Sequence, residues 1–300
     1  AWPFRWLGYK GDPDMPPVTR AITALGPAYI KFGQILSTRP DVVGDEMALQ
    51  LRVLQDKLPP FDTDTARRAV AHELGRPVDD IFSEFSEPVA AASIAQVHRA
   101  RLAETGQEVA VKVLRPGIEK AFRKDIDAFY LAARMVETFS PGSRRLHPIE
   151  VIEHFDGVVR GELDLRLESA AASEFAANTR EDEGFQLPEI KWNHSGRRVM
   201  TLGWADGISL GDNAALDFAG HDRVALSERV LQLFLKHALR DGYFHADMHQ
   251  GNLKVAANGD IIAYDFGIMG HIDSYTRRVY AEILYGFIRR DYHRVAKVHF

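Results

Sequence analysis

His245-Ala246-Asp247-Met248-His249-Gln250-Gly251-Asn252 carries an Asp and, five positions later, an Asn; thirteen positions beyond Asn252 stands Asp265-Phe266-Gly267. The second motif follows an apolar, strand-like run, Ile261-Ile262-Ala263-Tyr264. Phosphoryl transfer asks little covalent help of a protein, and much positioning and charge neutralisation. An Asn side-chain oxygen and an Asp carboxylate on neighbouring loops suit Mg²⁺, a hard cation that takes oxygen ligands. A further Asp can orient or deprotonate an accepting hydroxyl. The spacing gives these roles to Asn252, Asp265 and Asp247. Each motif alone is weak, because an Asp-Phe-Gly turn is commonly structural; the ordered pair at this spacing is specific. His245 and His249 also stand at i, i+4, the spacing of a zinc pair, but the loop composition argues against a helix and no third ligand suggests itself.

Upstream, Val109-Ala110-Val111-Lys112-Val113-Leu114 reads as a strand, joined through the turn Glu104-Thr105-Gly106-Gln107 to a strand at Ile94 to Ala100. Val109 to Lys112 matches the V-A-I-K strand of protein kinases, whose lysine meets the α- and β-phosphates. Lys112 is therefore the expected phosphate lysine. Such a lysine needs a carboxylate partner, and Glu162, Asp164 and Glu168 lie in a helical stretch running from Ile149 to Asn178. The loop before this hairpin, which should be glycine-rich, is Ala90-Ala91-Ala92-Ser93-Ile94-Ala95-Gln96, and no glycine occurs between Gly75 and Gly106. Glycine lets backbone approach phosphates closely and adopt positive φ. Alanines narrow that freedom, so nucleotide geometry should differ from that of an ordinary protein kinase.

The remaining chain supports a large mixed fold. Ala1 to Pro17 reads as an irregular arm with Trp2, Phe4, Trp6 and Tyr9. Val18 to Leu58 is helical in pattern, with apolar Ile22, Leu25, Tyr29, Phe32 and Leu36, and is broken by Pro27 and Pro40. Asp62-Thr63-Asp64 offers an N-cap to a helix ending near Gly75. Helical patterns return at Ile118 to Phe139, Arg223 to Asp241 and from Tyr275, with a strand at Arg198 to Leu202. Apolar residues make up 46% of the chain and charged residues 26%, as in ordinary globular proteins. A net charge of -5 gives no reason to expect nucleic acid as a partner. The absence of cysteine excludes disulfides, thiolate catalysis and Cys-zinc sites. No apolar run of about 18 residues marks a spanning helix. A start at Ala1 and a stop at Phe300, soon after the metal motif, suggest a piece with arbitrary ends.

The departures from an ordinary kinase form a pattern of their own. Ala90 to His98, Ala-Ala-Ala-Ser-Ile-Ala-Gln-Val-His, resembles the alanine-rich loop of the UbiB family of atypical kinases, the aarF-domain proteins. Lys31-Phe32-Gly33-Gln34 matches that family's K-x-G-Q motif and Glu162-Leu163-Asp164 its E-x-D motif; Glu168 falls where the lysine-pairing glutamate lies. The resemblance runs from about Leu25 to Gly270 and includes both metal motifs. It implies an α+β, two-lobed protein-kinase-like fold with an N-terminal helical extension. The expected divisions are 1–87 for the extension carrying K-x-G-Q, 88–204 for an N-lobe with a helical insertion, and 205–300 for a C-lobe.

The resemblance further implies catalytic roles for Asp247, Lys112 and Glu168. It implies ATP or ADP against residues 90–97 (Ala90, Ala91, Ala92, Ser93, Ile94, Ala95, Gln96 and Val97) and Lys112, and Mg²⁺ on Asn252 and Asp265. Lys31, Gln34, Glu162 and Asp164 are the expected regulatory latch over the substrate cleft. The implied setting is ubiquinone biosynthesis at the cytoplasmic face of the bacterial inner membrane. The implied partners are quinone-biosynthesis enzymes, lipid-like isoprenoid precursors and a peripheral membrane contact. A polyprenylphenol hydroxylase activity finds no support, since neither a G-x-G-x-x-G fingerprint nor an iron facial triad is present. Two alternatives remain. One is a small-molecule kinase of the aminoglycoside or choline type, against which the Lys31 motif and alanine loop count. The other is a nucleotide-binding pseudokinase scaffold, against which the fully occupied catalytic positions count.

Overall fold

The structure is a computed structural model that describes residues 16–37, 40–52, 59–139 and 141–299. Most of the aromatic N-terminal arm, and residues 53–58 of the first helical stretch, lie outside the described residues. The chain divides into two compact units. One comprises the residues up to Leu165 together with Asn193–Thr201; the other comprises Arg166–Trp192 with Leu202–Phe300.

The first unit begins with α1 (Pro17–Leu25), α2 (Pro27–Ser37), α3 (Pro40–Val43) and α4 (Asp45–Leu51). The prolines that break this stretch open helices, standing at first positions where a missing N–H costs nothing. In α5 (Thr63–Leu74) the Asp62 carboxylate accepts the Thr65 N–H at 2.9 Å, and Gly75 at φ 68° ends the helix, as the sequence pattern predicts. A short α6 (Val78–Ile81) leads into β1 (Phe82–Ala91), which pairs antiparallel with β2 (Ala95–Leu102), itself paired antiparallel with β3 (Glu108–Leu114). The sheet order is completed by β5 (Val199–Gly203) beside β3. The hairpin of β2 and β3 was expected; β1 was not. Its register slips three times along the pairing and it contains Pro88, so no clean alternation marks it.

Alternation decides the faces of this sheet. Val109, Val111 and Val113 are fully buried and pack with Val70, Val78, Ile81 and Phe82. Ala110 and Lys112 therefore belong to the other face. After β3 come α7 (Ile118–Phe139) and α8 (Pro148–Glu162). The single helical stretch expected from Ile149 to Asn178 is in fact α8 and α9 (Leu165–Asn178), interrupted at Leu163-Asp164. The cause is tertiary: the Leu165 N–H leaves the helical ladder and donates to the Arg197 carbonyl at 2.8 Å.

The second unit carries most of α9, then β4 (Phe185–Gln186), β6 (Ile208–Ser209), α10 (Asn213–Phe218) and α11 (Arg223–Lys236). α11 widens into a π turn over His237–Asp241 before Gly242, at φ 70°, stops it. The turn is anchored by the Asp182 carboxylate, 1% exposed. Lys236 lies 2.7 Å from it, Arg240 2.6 Å and the His237 ring 3.0 Å. These partners hold Asp182 far below the usual carboxylate range against the opposing effect of burial. Then follow β7 (Tyr243–His245), β8 (Leu253–Val255), β9 (Ile261–Ala263), β10 (Met269–His271), α12 (Ser274–Arg289) and α13 (Tyr292–His299). β8 and β9 form a hairpin inside the sheet β4-β9-β8-β6, while β7 and β10 form a separate antiparallel ribbon. Among the described residues no helix is long and apolar enough to cross a membrane.

Candidate active site

In the second unit the catalytic-loop motif connects β7 to β8, and the Asp-Phe-Gly motif connects β9 to β10. Both connections therefore leave strands that are fixed by pairing: Met269 faces His245 across the ribbon, and Leu253 faces Ala263 across the hairpin. His245 joins the two loops. Its Nε2–H donates to the Asp265 carbonyl at 2.5 Å, and its Nδ1 accepts the Asp247 N–H at 3.1 Å. That pair of bonds demands one neutral tautomer. Burial pushes the imidazole below its ordinary pKa, partly offset by the bond to the Asp265 carbonyl, so the neutral form is favoured. Phe266, nearly fully buried, sits beside the same ring at 6.1 Å between centroids.

Asn252 is brought directly to Asp247. Its Nδ2 donates to the Asp247 carbonyl at 3.1 Å and to the carboxylate Oδ2 at 3.2 Å. The amide oxygen, the atom a hard cation takes, is thereby turned to the other side of the amide. Asp265 keeps its carboxylate in a tight turn, its Oδ1 accepting the Gly267 N–H at 3.2 Å. An Asn oxygen and one carboxylate fit Mg²⁺, which commonly retains waters and phosphate oxygens instead of an all-protein cage. Two buttresses were not anticipated from sequence. The Tyr264 hydroxyl donates to the Gly251 carbonyl, and burial, with the nearby Asp265 charge, raises its pKa above the ordinary value. Lys254 donates to the Ala205 carbonyl at 2.8 Å, with its ammonium 5.1 Å from the Trp204 ring and 5.6 Å from the Tyr264 ring.

In the first unit, Ala90 pairs with Val97 and Val97 with Lys112, so three expected nucleotide-contacting residues form one cross-strand row. Partners directly opposite share a face. Ala91 closes β1, and Ala92, Ser93 and Ile94 form the turn, tightened by the Ala92 N–H donating to the Ala95 carbonyl at 2.8 Å. Ser93 and Ala95 are buried. Gln96, expected among the nucleotide contacts, is fully buried, and its side chain lies on the face opposite Val97. Its amide is bonded to the Phe61 backbone, accepting the N–H at 2.9 Å and donating to the carbonyl at 3.1 Å. Lys112 lies in this unit and Glu168, in the first turn of α9, in the other.

The extension motif is also placed within the first unit. Lys31 on α2 lies 2.7 Å from Glu162 at the end of α8, each side chain only 16% exposed. The neighbouring residue explains the approach. Phe32 stacks on Phe129 of α7 at 4.8 Å and meets Phe155 of α8 edge-on at 5.1 Å, with Tyr29 against Phe129 at 4.7 Å. Gly33 is buried on the same helix, and Gln34 follows it, partly buried. Asp164 stands in the break after α8, its N–H donating to the Gly161 carbonyl at 3.2 Å.

A meander carrying a lysine strand, followed by a helical unit with metal-motif loops between short strands, defines the protein-kinase-like class of fold. The chain belongs to the family of the ABC1 atypical kinase-like domain, which matches residues 53–299. It is 43% identical over 93% of its length to a probable protein kinase UbiB of Marinobacter nauticus, of which it covers 52%. It is 41% identical, with the same coverages, to that of Aeromonas hydrophila. The chain thus spans about half the length of the curated relatives it matches. Among solved structures, the Rv3197 protein of Mycobacterium tuberculosis, solved in complex with erythromycin, is similar. The TM-score is 0.62 and the identity 26%, over 89% of this chain and 67% of that one.

Proposed function

We propose that this chain is an atypical kinase or ATPase that uses a Mg²⁺-nucleotide in support of isoprenoid quinone biosynthesis. The observation that carries the enzymatic reading is the neutral His245, bonded at one nitrogen to the Asp247 backbone and at the other to Asp265. Such a bridge fixes two loops whose side chains need mutual positioning for phosphoryl transfer. Asp265 and Asn252 would hold Mg²⁺, which supplies neutralisation of the phosphate charge. Asp247, held through the Asn252 amide, orients the accepting hydroxyl or water. Lys112 and the Ala90-Val97 row contact the nucleotide, and a lysine-pairing role for Glu168 rests on the family resemblance alone. The Lys31–Glu162 pair restrains the N-terminal extension, so that conventional protein phosphorylation is disfavoured.

The quinone setting is supported by the UbiB names of relatives 39–43% identical to the chain. The proposed partners are quinone-biosynthesis enzymes and their lipid-like precursors at the cytoplasmic face of the bacterial inner membrane. The test is nucleotide hydrolysis with and without lipid and phenolic quinone precursors. Hydrolysis stimulated by both is expected. Stoichiometric phosphorylation of a soluble metabolite would point instead to a small-molecule kinase, and binding without turnover to a scaffold.

A further inference from the structure

The alanine loop is held from behind by side-chain hydrogen bonds. Arg115, immediately after β3, donates from Nε to the Ala92 carbonyl at 3.3 Å and from a terminal nitrogen to the same oxygen at 3.1 Å. A terminal nitrogen also donates to the Pro59 carbonyl at 2.8 Å, and the guanidinium lies over the Phe61 ring at 5.6 Å. The Arg115 N–H donates to the Ile94 carbonyl at 2.8 Å. Gln96 completes the clamp through its two bonds to the Phe61 backbone, and its Nε2 lies 2.9 Å from the His98 ring. His98 in turn bonds the Ser86 carbonyl on β1 at 2.8 Å. Both ends of the turn are therefore tied to Pro59–Phe61, the segment just before α5.

A planar guanidinium that meets one carbonyl through two nitrogens fixes direction as well as distance. Fixing the Ala92 carbonyl fixes the peptide plane that follows it, and hence where the Ser93 N–H points. A glycine loop could turn that plane freely; here the alanines and the clamp together allow one arrangement.

We infer that Arg115 is a positioning residue for the alanine loop, and that it makes the Pro59–Phe61 segment a determinant of nucleotide affinity and of the preference between di- and triphosphate. The inference rests on the nucleotide role of the alanine loop proposed above. A part-buried arginine and a buried glutamine could instead serve stability alone, and the two roles separate experimentally. In the full-length protein, amide hydrogen exchange at Ala92 and binding of Mg-ADP and Mg-ATP would be compared for wild type, Arg115→Ala, Arg115→Lys and Phe61→Leu. Arg115→Ala should speed exchange at Ala92 by about tenfold or more while β3 amides stay protected. It should also change the ADP:ATP affinity ratio in the same direction as Ala92→Gly, with the double variant no worse than either single one. Arg115→Lys, which keeps charge but loses the fork, should fold normally and still show the altered ratio. If Arg115→Ala does not fold, Arg115→Lys and Phe61→Leu carry the comparison. Unchanged exchange at Ala92, or an unchanged affinity ratio in folded variants, would overturn the inference. A wild-type protein that binds neither nucleotide would remove the nucleotide role itself, and exchange would still report whether the clamp exists.

Discussion

Removing Lys31 tests whether the extension is tied to α8 by a specific pair or by aromatic packing alone. Lys31 and Glu162 are 2.7 Å apart, and each side chain is 16% exposed. An exposed pair contributes about 0.2–1 kcal/mol. Breaking one side of a fully buried pair costs about 3–5 kcal/mol, because the survivor is left charged and unpaired. Lys31 and Glu162 lie nearer the buried limit but keep some access to water, so either single alanine variant should lose about 1–3 kcal/mol. The aromatic contacts of Tyr29 and Phe32 with Phe129 and Phe155 remain in both variants, so the helix should stay docked. Urea unfolding of wild type, Lys31→Ala, Glu162→Ala and the double variant closes a mutant cycle. The coupling should exceed about 1 kcal/mol, well above the scatter of about 0.3–0.5 kcal/mol for independent sites. Self-phosphorylation should rise in the single variants if the pair restrains it. Additive losses, with self-phosphorylation unchanged, would refute both the contact and its restraining role.

The remaining predictions concern the sheet loop and the second unit. Ala92→Gly should restore freedom to the loop and shift nucleotide preference toward ATP, read by calorimetry; an unchanged preference would reduce the loop to packing. Asp182→Asn should cost about 2–4 kcal/mol, less than a fully buried network because Lys236 and Arg240 are themselves part-exposed; urea unfolding measures it. Stability should fall as pH drops below about 6.5, since His98, His237 and His245 are all held below their ordinary pKa, chiefly by burial. In that window the unfolded chain takes up protons that the folded chain refuses, so the contribution is complete above 6.5 and is lost on acidification. A urea midpoint that rises or stays level between about pH 7 and pH 5.5 would contradict this.

What could be foreseen from sequence follows how local its cause is. β3 was legible because Val109, Val111 and Val113 alternate with Ala110 and Lys112, and the two motif-bearing loops because each is one short run beside a strand. β1 was hidden by Pro88 and by bulges, which spoil a period of two. The break between α8 and α9 was hidden because its cause is the Arg197 carbonyl, far along the chain. Gln96 sits in the motif, while strand alternation places its side chain on the face opposite Val97. Its bonds to Phe61 depend on a segment 35 residues earlier. The Lys31–Glu162 contact spans 131 positions, and no periodicity joins those residues. Only the resemblance to the UbiB family brought the two motifs together. His245 is plain in the motif, but its bridging role emerges only when both loops are folded.

Titration of Mg-ATP and Mg-ADP into wild type and Asp265→Asn by calorimetry, each repeated with Mg²⁺ chelated, tests the account most directly. A carboxylate that holds the cation should make binding Mg²⁺-dependent, and its loss should weaken affinity by about tenfold or more without changing the melting temperature in the absence of ligand. Nucleotide binding that is equally tight without Mg²⁺, or equally tight in Asp265→Asn, would contradict the assignment of this site.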